Sequence, residues 1–159
     1  MIIRQMRRKD IPGIQKVAEI SWHDTYDGII PISVQDRFLE QAYSNKSMKQ
    51  RLKRSLMLVA DAGVHLAGFA NFSFINQDGE SELGAIYLLP DYQGQKIGSQ
   101  LLAKGIESLK SVKRIAVHVE KDNKKGFYFY QSKGFVVTDT FEEQFFDCKL
   151  QTIKMVLKI

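Results

Sequence analysis

Cysteine is nearly absent from this chain: Cys148 stands alone among 159 residues. A single cysteine excludes an intramolecular disulfide and a cysteine-built zinc cluster, and it fits a reducing compartment. Long apolar runs are missing as well. No stretch approaches the ~18 residues that a membrane helix needs, and the opening MIIRQMRRKD is too short in apolar residues for a signal peptide. These absences predict a cytoplasmic protein without a membrane partner. No repeat, low-complexity tract or linker breaks the sequence, so residues 1–159 are expected to form one domain. His23, His65 and His118 lack metal-ligand spacing, so no metal is expected. No Ser-His-acid arrangement has a supporting motif, and GQKIGS places its lysine wrongly for a P-loop. The net charge is +5. It is spread along the chain, with no dense basic tract among aromatics, so nucleic acid is not indicated as a partner. An acidic or phosphorylated small ligand accounts for the excess equally well.

What is present is an ordinary globular composition, 44% hydrophobic and 26% charged. MIIRQM reads as a short strand. RKDIPGIQKVAEISW reads as a helix, with Asp10 as its cap, Pro12 in its first turn, and Ile11, Ile14, Val17, Ala18 and Trp22 on one face. Residues 27–53 read as a loop with one or two helices. SLMLVADAGVHLAGFANFSFI patterns as a hairpin turning at Asp61-Ala62-Gly63. SELGAIYLLP is the next strand and ends at Pro90. A helix with Ile97, Leu101, Leu102, Ile106 and Leu109 on one stripe follows. KRIAVHV is a strand, NKKGFYFYQSKG a short helix stopped by Gly134, and FVVTDTFEEQFF and KLQTIKMVLKI close the chain as two strands. The order is β-α-α-β-β-β-α-β-α-β-β. A strand-helix-strand crossover at the centre predicts parallel pairing there, with antiparallel edges. The fold class is α/β (mixed α+β): a mixed sheet of about seven strands with helices on both faces.

The most informative stretch is LLPDYQGQKIGSQLL, from Leu88 to Leu102. A glycine-containing loop running into a helix N-terminus is a place to hold an anion. By itself it reads equally well as a tight strand-to-helix turn. A second segment, VEKDNKKGFYFYQSKGF, follows at a set distance. Asn123 and Tyr130 are seven residues apart in it, two helical turns, and so share a helix face.

Together these two segments resemble the GNAT superfamily of acetyl-CoA-dependent N-acetyltransferases, most strongly from Glu82 to Phe135. The family's loop reads Gln or Arg, two residues, Gly, one residue, Gly or Ala. Gln93, Lys96 and Gly98 stand at those places, so Lys96 departs from the usual glycine, with Gly94 supplying some flexibility. The resemblance implies that the amides of Gly94, Gln95, Lys96, Ile97, Gly98 and Ser99 hold the pyrophosphate of coenzyme A, helped by the helix dipole. It implies that the strand before the loop splays from its parallel neighbour. Backbone groups of Ile86, Tyr87 and Leu88 then meet the pantetheine arm, one N–H near Leu88 polarising the thioester carbonyl. Asn123 bonds the cofactor, and Tyr130 acts as general acid towards its sulfur.

A protonated alkyl amine, with a pKa of ~10.4, must lose a proton before it attacks. Two bases are open, Glu82 and His118. Glu82 is read on one strand face with residues 84, 86 and 88; His118, on the next strand, has an imidazole suited to the task. The first helix and the loop after it wall the acceptor pocket in this superfamily, which makes Trp22, Tyr26 and Asp27 substrate-binding candidates. Asp139, Glu142, Glu143 and Asp147 read either as an acidic rim that steers a cationic amine or as the solvated face of an edge hairpin. The expected reaction is acetyl transfer to a primary amine by direct attack, on a small molecule of polyamine type. A protein or peptide amine is one alternative. A non-catalytic acyl-CoA-binding module, acting as sensor or assembly piece, is the other. A homodimer through the final strands is common in such folds.

Overall fold

The computed structural model describes all 159 residues. In chain order they form β1 (Ile2–Gln5), α1 (Ile11–Thr25), α2 (Ile32–Ala42), α3 (Asn45–Arg54), β2 (Ser55–Asp61), β3 (Leu66–Ser73), β4 (Glu80–Leu88), α4 (Ile97–Ser108), β5 (Arg114–Glu120), α5 (Lys124–Ser132), β6 (Val136–Phe145) and β7 (Cys148–Lys158). The strands make one seven-stranded sheet in the order β1-β2-β3-β4-β5-β7-β6. β4 and β5 run parallel and every other neighbouring pair is antiparallel. The mixed sheet expected from the patterning is therefore present. The helix count differs, because residues 27–53 carry two helices, giving three before β2. Ser44 separates them: its hydroxyl accepts the Ser47 N–H at 3.1 Å and starts α3.

The five apolar positions predicted on α1 are all buried, and Pro12 lies in its first turn. Asp10 stands at the cap position but does not cap. Its carboxylate accepts both guanidinium nitrogens of Arg4, at 2.8 and 2.9 Å, and the Arg7 N–H at 2.7 Å. A two-pronged, charge-assisted contact outcompetes a single amide bond into the helix.

One apolar core lies between α4 and one sheet face, where Ile97, Leu101 and Leu102 meet Leu58, Phe72, Ile115 and Val117. Each such side chain contributes about 1.5–3 kcal/mol through burial. α4 approaches closely through Gly105, where a Cβ would collide with the Phe72 ring. α1 and α3 cover the opposite face of β2 to β4. A third cluster joins the end of α1 and α2 to the β6–β7 hairpin through Trp22, Tyr26, Ile30, Val34 and Phe145. The Asp27-side loop between α1 and α2 is thereby tied to the hairpin tip, and Arg37 on α2 adds an ion pair to Asp147 at 2.7 Å. No helix is long and apolar enough to cross a membrane.

Candidate active site

The parallel ladder between β4 and β5 is short. It pairs Glu80–Glu82 with Arg114–Ala116 and then stops, although β5 stays paired to β7 along its whole length. Beyond Glu82 the two strands part, and a cleft of about 460 Å³ opens between them, extending past the loop after β4 to α5. The Leu89 N–H donates to Ala67 O at 2.8 Å. Backbone groups alternate sides along an antiparallel strand, so Ile86 and Leu88 turn their N–H groups away from β3, towards the opened edge. Those free amides are what an extended, amide-bearing ligand arm pairs with.

The side-chain parity of β4 differs from simple alternation. Phe72 pairs with Leu83 while Asn71 pairs with Ala85, leaving Gly84 as an extra residue in a bulge. A bulge inverts which face the later residues take. Leu83, Ile86 and Leu88 consequently pack towards α4, and Ala85 and Tyr87 towards α1. Glu82, one before Leu83, lies on the α1 side, so residues 82, 84, 86 and 88 do not share a face as the sequence suggested.

The parallel register brings the two candidate bases together, since Glu82 pairs with Ala116 and His118 is the next residue on that face of β5. Glu82 Oε1 lies 3.3 Å from His118 Nδ1. A carboxylate only accepts, so Nδ1 carries the proton in this contact and Nε2 is the ring nitrogen left over. His118 lines the cleft and Glu82 stands behind it, against a separate polar hollow beside α3. Both side chains are about half exposed, at 41% and 54%. Phe141 packs edge-on against the imidazole, its centroid 5.7 Å away.

At the other end of the cleft, the amides from Gly94 to Ser99 donate to no backbone carbonyl. They are the free donors of a turn and of the first turn of α4. Gly94 has φ +79° and Lys96 φ +64°, the left-handed geometry that turns successive amides to one side. The cleft wall carries Lys96, Lys125 and Lys133 and no carboxylate. Lys125 and Lys133 went unnoticed in the sequence, although they sit on the short helix already singled out. Lys125 donates to Gln93 at 3.0 Å, tying α5 to the loop.

Asn123 and Tyr130 both line the cleft. Asn123 is the N-cap of α5, its Oδ1 accepting the Gly126 N–H at 3.1 Å. Its side chain also stands beside the Tyr26 hydroxyl, whose phenol it helps to hold down. Tyr130 packs edge-on against Phe129 and Phe135. Burial pushes its phenol above the ordinary value, with Tyr26 adding to the shift. Tyr26 and Tyr87 share a hydroxyl contact of 3.3 Å, and burial raises both. These phenols all stay protonated at neutral pH, as donors. The Tyr87 phenol was not anticipated; its alternation with Ala85 is visible only once the bulge is known.

Of the acceptor-side candidates, Tyr26 lines the cleft. Trp22 does not: it is 6% exposed and stacked on Phe38 and Phe145, a core residue. Asp27 is exposed and lies outside the cleft wall. The acidic residues of β6 and its hairpin are solvated and in part ion-paired, Asp147 to Arg37 and Glu142 to Lys149. Glu143 accepts the Thr152 hydroxyl at 2.6 Å.

Comparison with known proteins bears on this geometry. Residues 14–135 match the acetyltransferase (GNAT) family model. A spermidine N(1)-acetyltransferase from Thermoplasma acidophilum is 33% identical over 146 residues, covering 87% of this chain and 89% of that one. A spermidine N(1)-acetyltransferase from Vibrio cholerae is 28% identical over 111 residues, 68% of this chain and 63% of that one. The crystal structure of PaiA N-acetyltransferase from Thermoplasma acidophilum in complex with coenzyme A superposes with a TM-score of 0.89 at 28% identity, covering 99% of this chain and 98% of that one.

Proposed function

The chain belongs to the acetyltransferase (GNAT) family, and from that premise we propose that it moves acetyl from acetyl-CoA to a primary amine of an aliphatic polyamine by direct attack. The residues fit the co-substrate: free amides and uncompensated lysines for its phosphates, and an opened strand edge for its pantetheine amides. When bound, acetyl-CoA supplies an activated acetyl thioester. The chain's own residues do the rest. His118 Nε2 takes the ammonium proton, and Glu82 holds the imidazole in that tautomer through Nδ1. The Leu88 N–H is directed at the carbonyl oxygen where negative charge develops.

Tyr130 faces the departing sulfur. A thiol ionises near ~8.5, well below this raised phenol, so complete proton transfer from the phenol is uphill. The raised value favours a hydrogen-bond donor to the sulfur as charge grows on it.

The polyamine class is supported by the spermidine-named relatives and by one feature of the sheet. By strand register, Glu120 on β5 and Asp139 and Glu143 on β6 share the face of His118, with Lys154 among them, so a mostly acidic face flanks the cleft and steers a polycation towards it. The observation that carries the proposal is the meeting of three things at one opened strand pair: the His118–Glu82 pair, the Tyr130 phenol and the amide-lined loop. The test is thiol release from acetyl-CoA across polyamines, amino acids, aminoglycosides and peptides. Turnover with polyamines is expected to exceed the others. Acetyl-CoA binding without turnover on any amine would favour the non-catalytic module, and a peptide preference would move the acceptor to protein amines.

A further inference from the structure

Tyr26 and Tyr87 carry buried phenols with no part in the base, donor or leaving-group roles of His118, Leu88 and Tyr130. Their hydroxyl oxygens lie 3.3 Å apart, and no carbonyl or carboxylate of the chain takes a proton from either. Two hydroxyls bring two protons to one contact, and the contact holds one of them. Burial keeps both phenols protonated, so one O–H is left without an acceptor, which a buried donor rarely is.

Asn123 decides which one. Its Oδ1 accepts the Gly126 N–H at 3.1 Å, and its carboxamide stands beside the Tyr26 hydroxyl. The nitrogen of that group only donates. The Tyr26 oxygen therefore receives Tyr87 on one side and faces Asn123 on the other, and its own proton is the free one.

The rest of Tyr26 is fixed. It ends α1, and its carbonyl accepts the Ile29 and Ile30 N–H groups, each at 3.0 Å, and the Gln35 carboxamide at 3.1 Å. Its ring lies against Trp22, the centroids 4.4 Å apart. Its hydroxyl stands between Tyr87 on β4 and Asn123 just past β5, the two strands that part beyond Glu82. All three residues line the cleft. Val117 and Val119 pack towards α4, so His118 between them faces the same side of the sheet as Tyr87, which packs towards α1.

The reactants offer few atoms that can accept this proton. An ammonium only donates, and the attacking nitrogen needs its lone pair for the carbonyl carbon. Tyr130 serves the sulfur, and the open edge of β4 serves the pantetheine amides. The acetyl oxygen remains, and negative charge grows on it as the C–N bond forms. Resting on the acetyl-CoA reading above, we infer that Tyr26 is a further catalytic residue, whose phenol donates a hydrogen bond to the acetyl carbonyl oxygen as a second donor beside the Leu88 N–H. The phenol keeps its proton throughout. The C–N bond forms and the C–S bond breaks; of the two protons the ammonium gives up, one goes to His118 and one ends on the sulfur of coenzyme A. A donor fixed before the charge appears needs no reorientation to meet it.

Tyr26→Phe tests this, with Tyr87→Phe as its control, because the control removes the contact and keeps the Tyr26 proton. Infrared spectroscopy of bound acetyl-CoA, labelled with carbon-13 at the carbonyl, reads the hydrogen bond without turnover. Coenzyme A, which has no acetyl group, reads the rest of the site by calorimetry. Single-turnover transfer uses the acceptor turned over fastest in the thiol-release screen. The carbonyl band is expected at lower frequency in wild type than in Tyr26→Phe. Transfer in Tyr26→Phe is expected to slow by about 100-fold, the scale of one preorganised donor, with coenzyme A affinity unchanged. Tyr87→Phe should keep the wild-type band and lose clearly less rate. A band at the same frequency in wild type and Tyr26→Phe, or an unchanged transfer rate, overturns the inference. Equal rate losses in the two variants also overturn it, making the phenol pair a brace. A fall in coenzyme A affinity that accounts for the rate loss does so too, moving the proton to a pantetheine carbonyl. Absence of coenzyme A binding by the wild type overturns the broader cofactor reading, and this one with it.

Discussion

His118 and Glu82 face each other where β4 and β5 part: Nδ1 to Oε1 is 3.3 Å, and Glu82 belongs to the last residue pair of the parallel ladder. Two residues that sequence spacing presents as alternatives are one unit in space. The imidazole faces the cleft, and the carboxylate faces the imidazole.

This arrangement predicts unequal and non-additive losses. His118→Ala is expected to lower kcat/KM by about 100-fold, within the range of general base catalysis. Glu82→Gln should cost about tenfold, because the base remains but its tautomer is no longer held. The double variant should be no slower than His118→Ala alone. Steady-state kinetics of the three variants checks this, and fully multiplicative losses contradict it. The deficit of His118→Ala should also shrink towards alkaline pH, as more of the amine arrives already deprotonated.

Tyr130 carries a pH prediction of its own. Since burial raises its phenol above the ordinary tyrosine value, the donor stays protonated through pH 10. The wild-type pH–rate profile should therefore show no alkaline loss below pH 10 that Tyr130→Phe abolishes. Such a loss in the chemical step, seen by single-turnover kinetics, places the phenol in a more open site.

Stability predictions follow from two contacts away from the chemistry. Asp10→Asn weakens the paired contact with Arg4 and leaves the guanidinium with Asp61 as its one carboxylate partner, at 3.1 Å, costing about 1–3 kcal/mol. The Arg4 hydrogen bond holds the Asp10 carboxyl below its ordinary value despite burial. A depressed folded value stabilises fully above the unfolded carboxylate pKa of ~3.9 and loses that contribution as pH falls through the folded one. Denaturant titrations should therefore show wild type and Asp10→Asn converging as pH falls below the unfolded carboxylate value and through the lower folded one, and a constant gap would contradict the pairing.

Gly105→Ala improves helix propensity by about 1 kcal/mol in isolation. Here the added methyl falls inside the contact surface of the Phe72 ring, and overpacking costs of about 1–3 kcal/mol oppose it. The expected outcome is a melting temperature lower by several degrees, at about 2–4 °C per kcal/mol for a chain of this size. A higher one means that α4 shifts freely on the sheet.

Much of this architecture is written locally. The apolar stripe of α1, the hairpin turn at Gly63, the loop after Pro90 and the stop at Gly134 are each signalled within a few residues, by periodicity or by backbone freedom. What could not be read depends on partners distant in sequence. Asp10 reads as a cap until Arg4 is brought beside it. Trp22 reads as a pocket residue until the β6–β7 hairpin closes over it. The bulge at Gly84 leaves only a glycine as its trace, yet it reverses the face of every side chain before it relative to those after it. That reversal parts Glu82 from the face of Ile86, while the parallel register with β5 sets it beside His118. The loop of free amides after β4 was legible because it rests on consecutive backbone groups. The surroundings of His118 were not, because they are assembled from β4, β5 and β6.

The cofactor loop invites a direct check. Acetyl-CoA at 100 times its dissociation constant stabilises by ~2.7 kcal/mol, so the melting temperature should rise by about 5–10 °C. Gly98→Pro removes one of the free amides and places a ring against Phe129, and it should suppress the rise. A full shift in that variant means the cofactor is held elsewhere.

The central claim is that the opened β4–β5 edge presents the thioester between His118 and the Tyr130 phenol. Its most direct test is single-turnover acetyl transfer in Tyr130→Phe, with coenzyme A affinity measured on the same protein. The substitution keeps the ring and its packing against Phe129 and Phe135 and removes only the hydroxyl. The account predicts affinity within about twofold of wild type and a transfer step slower by about 100-fold, the scale of losing one preorganised donor. Equal single-turnover rates in the two proteins would contradict it.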